Sequence, residues 1–206
     1  FYAVSSTNNE KLLFRKIILK HYIILDLLKK FKISNKNISI EMIKILLLFK
    51  LIHNNDTSNI VHMLKEQIRV QVDKNSFHKS NNPSYQAEFV NNLHEIKNIF
   101  LFFEINVPES IQYQIYNMTS VLGNLIHKDN SIALFNGSNS ANYNNIIKII
   151  NLTKDIKLKN LENIKNGIAV YSNNKYKIFF DVVKPSNKEI NQNLHASTLS
   201  FELSCD

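Results

Sequence analysis

The polar stretch 73–86 is the first segment of the chain whose residue types suit chemistry. It contains the histidine His78, several carboxamides including Asn82, and Pro83 at the expected start of a helix. An imidazole and amides beside a helix N-terminus can bind an anionic group such as a carboxylate. The simpler interpretation is a polar loop in which Asn82 precedes the proline and Ser84 caps the next helix.

The second such segment, residues 193–204, brings a histidine to the start of a strand with alternating apolar residues. At this position His195 can ligate a metal ion or carry a proton, and Asn193 stands two residues before it. Residue types alone favour a surface histidine before an ordinary strand. The remaining five histidines lie in or at the ends of predicted helices without a partner at ligand spacing: His21, His53, His62, His94 and His127.

Composition excludes several classes of protein. A chain of 206 residues that is 44% hydrophobic is too apolar to be disordered and long enough for one large or two small domains. The single cysteine, Cys205, excludes an internal disulfide framework and a four-thiolate zinc site. No apolar run approaches the roughly 20 residues that a bilayer-spanning helix requires, so we predict no transmembrane segment.

The net charge of +8 is weak support for a nucleic-acid partner. All but two of the 25 basic residues are lysines, the exceptions being Arg15 and Arg69, whereas proteins that read bases or phosphates favour arginine. Asn, Ile and Lys together form about 40% of the chain, and codons made only of A and T encode these residues. The excess therefore reflects genome composition, and we predict no nucleic-acid binding. Because the chain begins at Phe1 without an initiator methionine, we expect an internal fragment.

Two kinds of periodicity divide the chain. Up to about residue 150 the apolar residues recur at helical spacing, which predicts helices over 10–31, 39–53, 57–72, 84–104 and 108–125. After about residue 160 short segments rich in Val, Ile, Phe and Tyr predict strands over 167–171, 176–183 and 198–204, with a hairpin turn at 172–175. Helices followed by strands indicate an α+β chain of two domains, with the second cut short. No internal repeat is strong in the sequence.

Taken in this order, the two polar segments resemble motifs of the heparinase II/III-type polysaccharide lyases. The first family motif is Asp-Gly-Gly-His-x-x-Arg-Asn-Pro-Ser-x-Gln, and its spacing is kept by His78, Asn82, Pro83, Ser84 and Gln86. The second is His-Ala-His-Ala-Asp-Thr-Leu-Ser-Phe-Glu-Leu-Ser, which residues 195–204 match except at Ser197. Residues 129–137 resemble a third stretch, and residues 167–181 resemble the hairpin that opens the second domain. The resemblance covers roughly residues 40–206.

The resemblance implies a fold and an activity. The fold is part of an (α/α) toroid of antiparallel helices at residues 1–160, followed by the first strands of an antiparallel β-sandwich at residues 161–206. The activity is β-elimination at a uronic acid of an acidic polysaccharide such as a glycosaminoglycan or alginate. His78 would be the catalytic residue, as proton carrier or carboxylate binder, with Asn82 and Asn193 at the substrate. His195 would bind one structural zinc in the full-length protein, with its other ligands beyond Asp206.

Several positions depart from the family pattern. Asn193 replaces the first histidine of the His-x-His pair, and Asn81 replaces the arginine of the first motif. The family's catalytic tyrosine has no counterpart in residues 132–136, and the nearest tyrosines are Tyr113, Tyr116 and Tyr143. Two family interpretations follow: an active lyase of a bacterial periplasm or cell envelope, or a glycan-binding, envelope-associated relative without activity. An all-helical interaction scaffold with accidental motif matches is the alternative of another class.

Overall fold

The computed structural model describes residues 7–30, 39–53, 55–139, 167–182 and 199–205. In these residues the chain is a mixed α+β protein with five helices and one three-stranded antiparallel sheet. The elements in chain order are α1 (Asn8–Lys30), α2 (Ile40–Ile52), α3 (Ser58–Gln71), α4 (Pro83–Phe102), α5 (Glu109–Asn124), β1 (Ile168–Ser172), β2 (Tyr176–Asp181) and β3 (Phe201–Cys205).

The predicted helices are confirmed to within a few residues at each end. Local signals account for this agreement: the hydroxyl of Ser39 accepts a hydrogen bond of 3.3 Å from the N–H of Met42 and so caps α2. Pro108 was expected in the first turn of α5 but stands one residue before Glu109, at the N-cap. Its φ of −56° and ψ of 133° are compatible with an N-cap. Proline has no N–H to donate, so it does not continue a helix from the preceding residues. None of the described helices combines the length and apolar character needed to cross a membrane.

The sheet has the strand order β1-β2-β3, and the turn between β1 and β2 lies where the sequence predicted it. The side-chain oxygen of Asn173 accepts hydrogen bonds from the N–H groups of Lys175 and Tyr176, at 2.8 and 2.9 Å. This Asx arrangement closes the turn without a glycine. Strand β2 ends at Asp181, two residues before the predicted end, and β3 begins three residues later than predicted.

Two compact units make up the chain. One comprises Phe1–Val70 with Asn98–Asn106, and the other comprises Gln71–Lys97 with Val107–Asp206. In the second unit, α5 buries Ile111, Ile115, Met118 and Leu122, which recur at the helical spacing that predicted this helix. The predicted domain boundary near residue 160 lies outside the described residues and stays a prediction.

One hydrophobic cluster in the second unit joins a helix, two loops and the sheet. Its buried members are Phe77, Val121, Leu125, Ala133, Phe135, Ile168 and Phe179. Phe77 and Phe179 come from segments a hundred residues apart, and both are at most 1% exposed. Full burial of one such side chain contributes about 1.5–3 kcal/mol, so the cluster fixes the loops against the sheet.

The apolar side chains of β3 lie on one face, as the alternation predicted, but that face is exposed. Leu199 just before β3 and Phe201 and Leu203 within it are 53–79% exposed. Glu202 and Ser204 point the other way and are half-buried. A hydrogen bond accounts for this orientation of β3: the carboxylate of Glu202 accepts from the N–H of Leu134 at 2.8 Å. That contact fixes which face of β3 turns toward the second unit's loops.

Candidate functional site

His78 lies in a tight hairpin that the sequence did not predict. We call residues 71–79, which follow α3, hairpin A. The N–H of Asp73 donates to the carbonyl of Phe77 at 2.8 Å, and the N–H of Lys79 donates to the carbonyl of Gln71 at 2.8 Å. Val72 and His78 form an antiparallel bridge between these bonds. Ser76, at the tip, has a φ of 65°.

The same backbone arrangement recurs after α5, in residues 125–133, which we call hairpin B. The N–H of His127 donates to Ser131 at 2.8 Å, and the N–H of Ala133 donates to Leu125 at 2.9 Å. Ile126 and Ile132 form the bridge, and Asn130 has a φ of 67°. The bridge, the two backbone hydrogen bonds and the positive φ of hairpin A therefore have counterparts 54 residues later, as Val72 corresponds to Ile126 and His78 to Ile132. The repeat is one of backbone geometry.

Neighbouring polar groups determine the tautomer of the His78 ring. Nδ1 lies 3.2 Å from the N–H of Ser80 and 2.7 Å from its hydroxyl oxygen. A backbone N–H can only donate, so Nδ1 accepts and the ring proton lies on Nε2. Nε2 faces the side-chain oxygen of Gln71 at the long distance of 3.3 Å.

Burial keeps this imidazole neutral. Loss of solvent lowers the pKa of His78 from 6.5 to about 4, and the positive charge of Lys79 acts in the same direction. The rings of Phe89 and Tyr85 each lie 5.9 Å from its ring, measured between centroids. At neutral pH His78 therefore offers a hydrogen-bond donor without positive charge.

Gln86, on the first turn of α4, holds the backbone of His78. Its side-chain oxygen accepts a 2.7 Å hydrogen bond from the N–H of His78. Its amide nitrogen donates to the carbonyls of Ser76 and Met118, at 3.2 and 3.0 Å. Gln86 is fully buried, so this contact ties hairpin A to α5 from within the protein.

Asn82 caps α4, and the expectation that Ser84 does so is wrong. The side-chain oxygen of Asn82 accepts hydrogen bonds from the N–H groups of Ser84 and Tyr85, at 2.8 and 3.1 Å. The helix begins at Pro83, which places the capping position at residue 82. The hydroxyl of Ser84 lies instead 2.6 Å from the hydroxyl of Ser138. Substrate binding by Asn82 stays a prediction.

The other candidates from the sequence fall elsewhere. Asn193 and His195 lie outside the described residues, so their roles at a substrate and at a zinc ion stay predictions. The part of the chain that the structure describes contains no group of three His, Cys, Asp or Glu side chains that could hold a metal ion.

Tyr85 is the site residue that sequence reasoning missed. It occupies the variable position between Ser84 and Gln86 in the first motif, and its ring meets that of His78 edge to face. Its side chain is 45% exposed, so it can be reached from solvent. Its position in the sequence could have indicated this contact, because a residue in the first turn of a helix lies beside the loop that precedes the helix.

A second polar cluster joins hairpin B to the sheet. Nε2 of His127 lies 2.7 Å from the carboxylate of Glu202, a partner that the sequence did not suggest. Nδ1 of His127 is buried without a hydrogen-bond partner among the described residues. Lys177 donates to the carbonyl of Ile126, and burial lowers the pKa of its ammonium group to about 8. The cluster fastens β2 and β3 to hairpin B.

His78 and Tyr85 form the part of the described structure that best fits a functional site, since they combine a fixed imidazole with an accessible phenol. Glu202 and His127 hold elements together. Comparisons of the chain with protein-family models, with curated proteins and with solved structures found no significant match.

Proposed function

We propose that this protein is a lyase-like enzyme of the heparinase II/III type that cleaves a uronic-acid-containing polysaccharide by β-elimination. The observation that carries the proposal is the pairing of His78 with Tyr85, whose rings lie 5.9 Å apart at the accessible edge of hairpin A. The motif resemblance supports the same reaction, since both residues lie within the segment that resembles the first family motif.

In this reaction a base removes the proton at C5 of the uronic acid. The electron pair of that bond forms the C4–C5 double bond, the bond from C4 to the glycosidic oxygen breaks, and the oxygen takes a proton. The C5 proton is weakly acidic, so the charge that develops on the adjacent carboxylate must be stabilised where it forms. The site therefore needs one group for the carboxylate and one group for the proton.

The geometry of His78 supports the role of carboxylate binder. Nδ1 accepts from Ser80, so it is not available as a base, whereas the proton on Nε2 has only a long contact to Gln71. A substrate carboxylate can replace Gln71 as the acceptor of that proton. A neutral imidazole acting as hydrogen-bond donor is an established way to polarise an oxygen.

Tyr85 supplies the proton-transferring group in this proposal. Its own phenolic proton passes to the departing glycosidic oxygen while its oxygen takes the C5 proton, so Tyr85 carries one proton before and after the step. The exposed lysines Lys74 and Lys79 of hairpin A suit a polyanionic substrate.

An absorbance assay for the unsaturated uronate product tests the proposal over a panel of uronic-acid polymers. We expect product with the wild-type chain and a loss of rate of about 10²–10⁴-fold in Tyr85→Phe, because proton transfer by a positioned group contributes that much. Tyr113→Phe is the matched control, since Tyr113 is 67% exposed on α5. Absence of product with every polymer, or an undiminished rate in Tyr85→Phe and His78→Asn, would overturn the assignment.

A non-catalytic glycan-binding protein is the second candidate, and a specific observation favours it. Both ring nitrogens of His78 already have partners, and its pKa of about 4 makes it a weak proton acceptor. Polymer binding that depends on His78, measured by calorimetry in the absence of any product, would favour this function over the lyase.

A further inference from the structure

We propose that Asn136, in the loop after hairpin B, is a positioning residue that fixes the tautomer of His78. Its importance for catalysis rests on the proposed function, whereas the geometric coupling does not. Asn136 is 7% exposed and far from His78 in sequence.

Asn136 holds two successive residues of the loop after hairpin A. Its side-chain amide donates to the carbonyl of Asn81 at 3.0 Å. Its own carbonyl accepts a hydrogen bond of 2.9 Å from the side-chain amide of Asn82. Asn136 makes both contacts with a φ of 53°, a left-handed conformation that asparagine adopts more readily than most residues.

Asn81 and Asn82 in turn hold the groups around the imidazole. The N–H of Asn81 donates to the carbonyl of His78 at 2.9 Å. The N–H of Asn82 donates to the hydroxyl oxygen of Ser80 at 3.2 Å. Because Nδ1 accepts from the N–H of Ser80 and carries no proton, the Ser80 hydroxyl 2.7 Å away can only donate to it, and the N–H of Asn82 holds that hydroxyl in place. The ring proton is therefore kept on Nε2.

Two of the contacts between the loops join residues that are 54 positions apart, which is also the offset between the two hairpins. Asn136 lies 54 residues after Asn82, the offset that relates Ile132 to His78. Ser138 and Ser84 have the same separation and touch through their hydroxyls at 2.6 Å. Hairpin B carries the buried Ile132 where hairpin A carries His78. We therefore assign to the loop after hairpin B the role of aligning His78.

Nitrogen-15 NMR of the His78 ring in the full chain tests the coupling without substrate. Asn136→Gly is compatible with the positive φ, keeps the main-chain carbonyl that Asn82 contacts and removes the side-chain amide that donates to Asn81. We expect the wild-type ring to carry its proton on Nε2 and the variant to show a mixture of both tautomers. The pKa of His78 should also move from about 4 toward 6.5 in the variant, as the loop loosens and water enters.

Asn130→Gly is the matched control, because Asn130 is an exposed asparagine with a φ of 67° at the tip of hairpin B. We expect it to leave the His78 ring unchanged. If Asn136→Gly does not fold, Asn136→Asp removes the donated hydrogen bond with less change of shape, and the same shift is expected. A folded Asn136 variant with the wild-type ring signals would overturn the proposal. Failure of the lyase assignment is recognised separately, by the absence of product with the wild-type chain.

Discussion

Hairpins A and B share a backbone but differ in nearly every side chain. The position of His78 in hairpin A is taken by Ile132 in hairpin B, and that of the buried Phe77 is taken by Ser131. Both hairpins use an aspartate to bind backbone N–H groups, but at different positions. Asp73 accepts from Asn75 and Phe77, each at 2.8 Å, whereas Asp129 accepts from Ser131 at 2.9 Å.

The histidines of the two hairpins also have different hydrogen-bond partners. His78 has hydroxyl and amide neighbours and is neutral through burial, while His127 pairs with a carboxylate of β3. Hairpin A thus holds a neutral imidazole beside the exposed phenol of Tyr85, and hairpin B attaches the sheet. Main-chain hydrogen bonds can therefore fix a loop geometry and leave the side chains free to differ in chemistry.

Truncation of the buried Phe77 should give the largest difference in unfolding free energy between the two hairpins. Phe77→Ala should lower the free energy of unfolding by about 3–5 kcal/mol, because it opens a cavity in the hydrophobic cluster. Ser131→Ala, at the equivalent position, should cost only about 1 kcal/mol through the lost hydrogen bond to Asp129. Urea unfolding measures both values, and equal losses would contradict the different roles of the two positions.

Acid should destabilise the protein through hairpin A. The pKa of His78 is about 4 in the folded protein and 6.5 without burial, so the unfolded chain binds more protons between these values. Stability from this group is complete above pH 6.5 and falls as the pH is lowered toward 4, by about 3 kcal/mol.

Urea unfolding of wild type and His78→Gln at neutral and acidic pH isolates that contribution. The variant should lose less stability on acidification than the wild type. His62→Gln, a change at an exposed histidine of α3, serves as control and should behave as the wild type. If His78→Gln and wild type respond alike to acid, the imidazole is not held neutral by burial.

The smallest expected difference lies at the two hairpin tips. Ser76→Gly should raise stability by about 0.5–1 kcal/mol, because a φ of 65° is unfavourable for a residue with a side chain. Asn130→Gly should change it by only a few tenths, since asparagine tolerates this conformation. Thermal unfolding of the two variants gives the comparison, and a destabilised Ser76→Gly would show that the serine side chain is needed at the tip.

Local signals explain how much of this fold could be predicted. Helix α2 follows Ser39, a capping residue, and the turn of the β1–β2 hairpin contains Asn173, so both were found from neighbouring residues. The hairpins themselves were missed because backbone hydrogen bonds leave little trace in residue type. At the site, His78 was found as a candidate, but Tyr85 was missed because its place beside the imidazole depends on how α4 leaves the loop.

The sequence by itself determined where helices and strands lie, since propensity, periodicity and caps act between near neighbours. Only the tertiary structure decided which polar groups meet. Glu202 contacts His127 and Leu134, which lie more than sixty residues earlier in the chain, and these hydrogen bonds leave the apolar face of β3 exposed. Asn136 forms hydrogen bonds with Asn81 and Asn82 because the two loops pack together in one unit. A buried polar group must be paired, but its partner is chosen by packing, which no local pattern records.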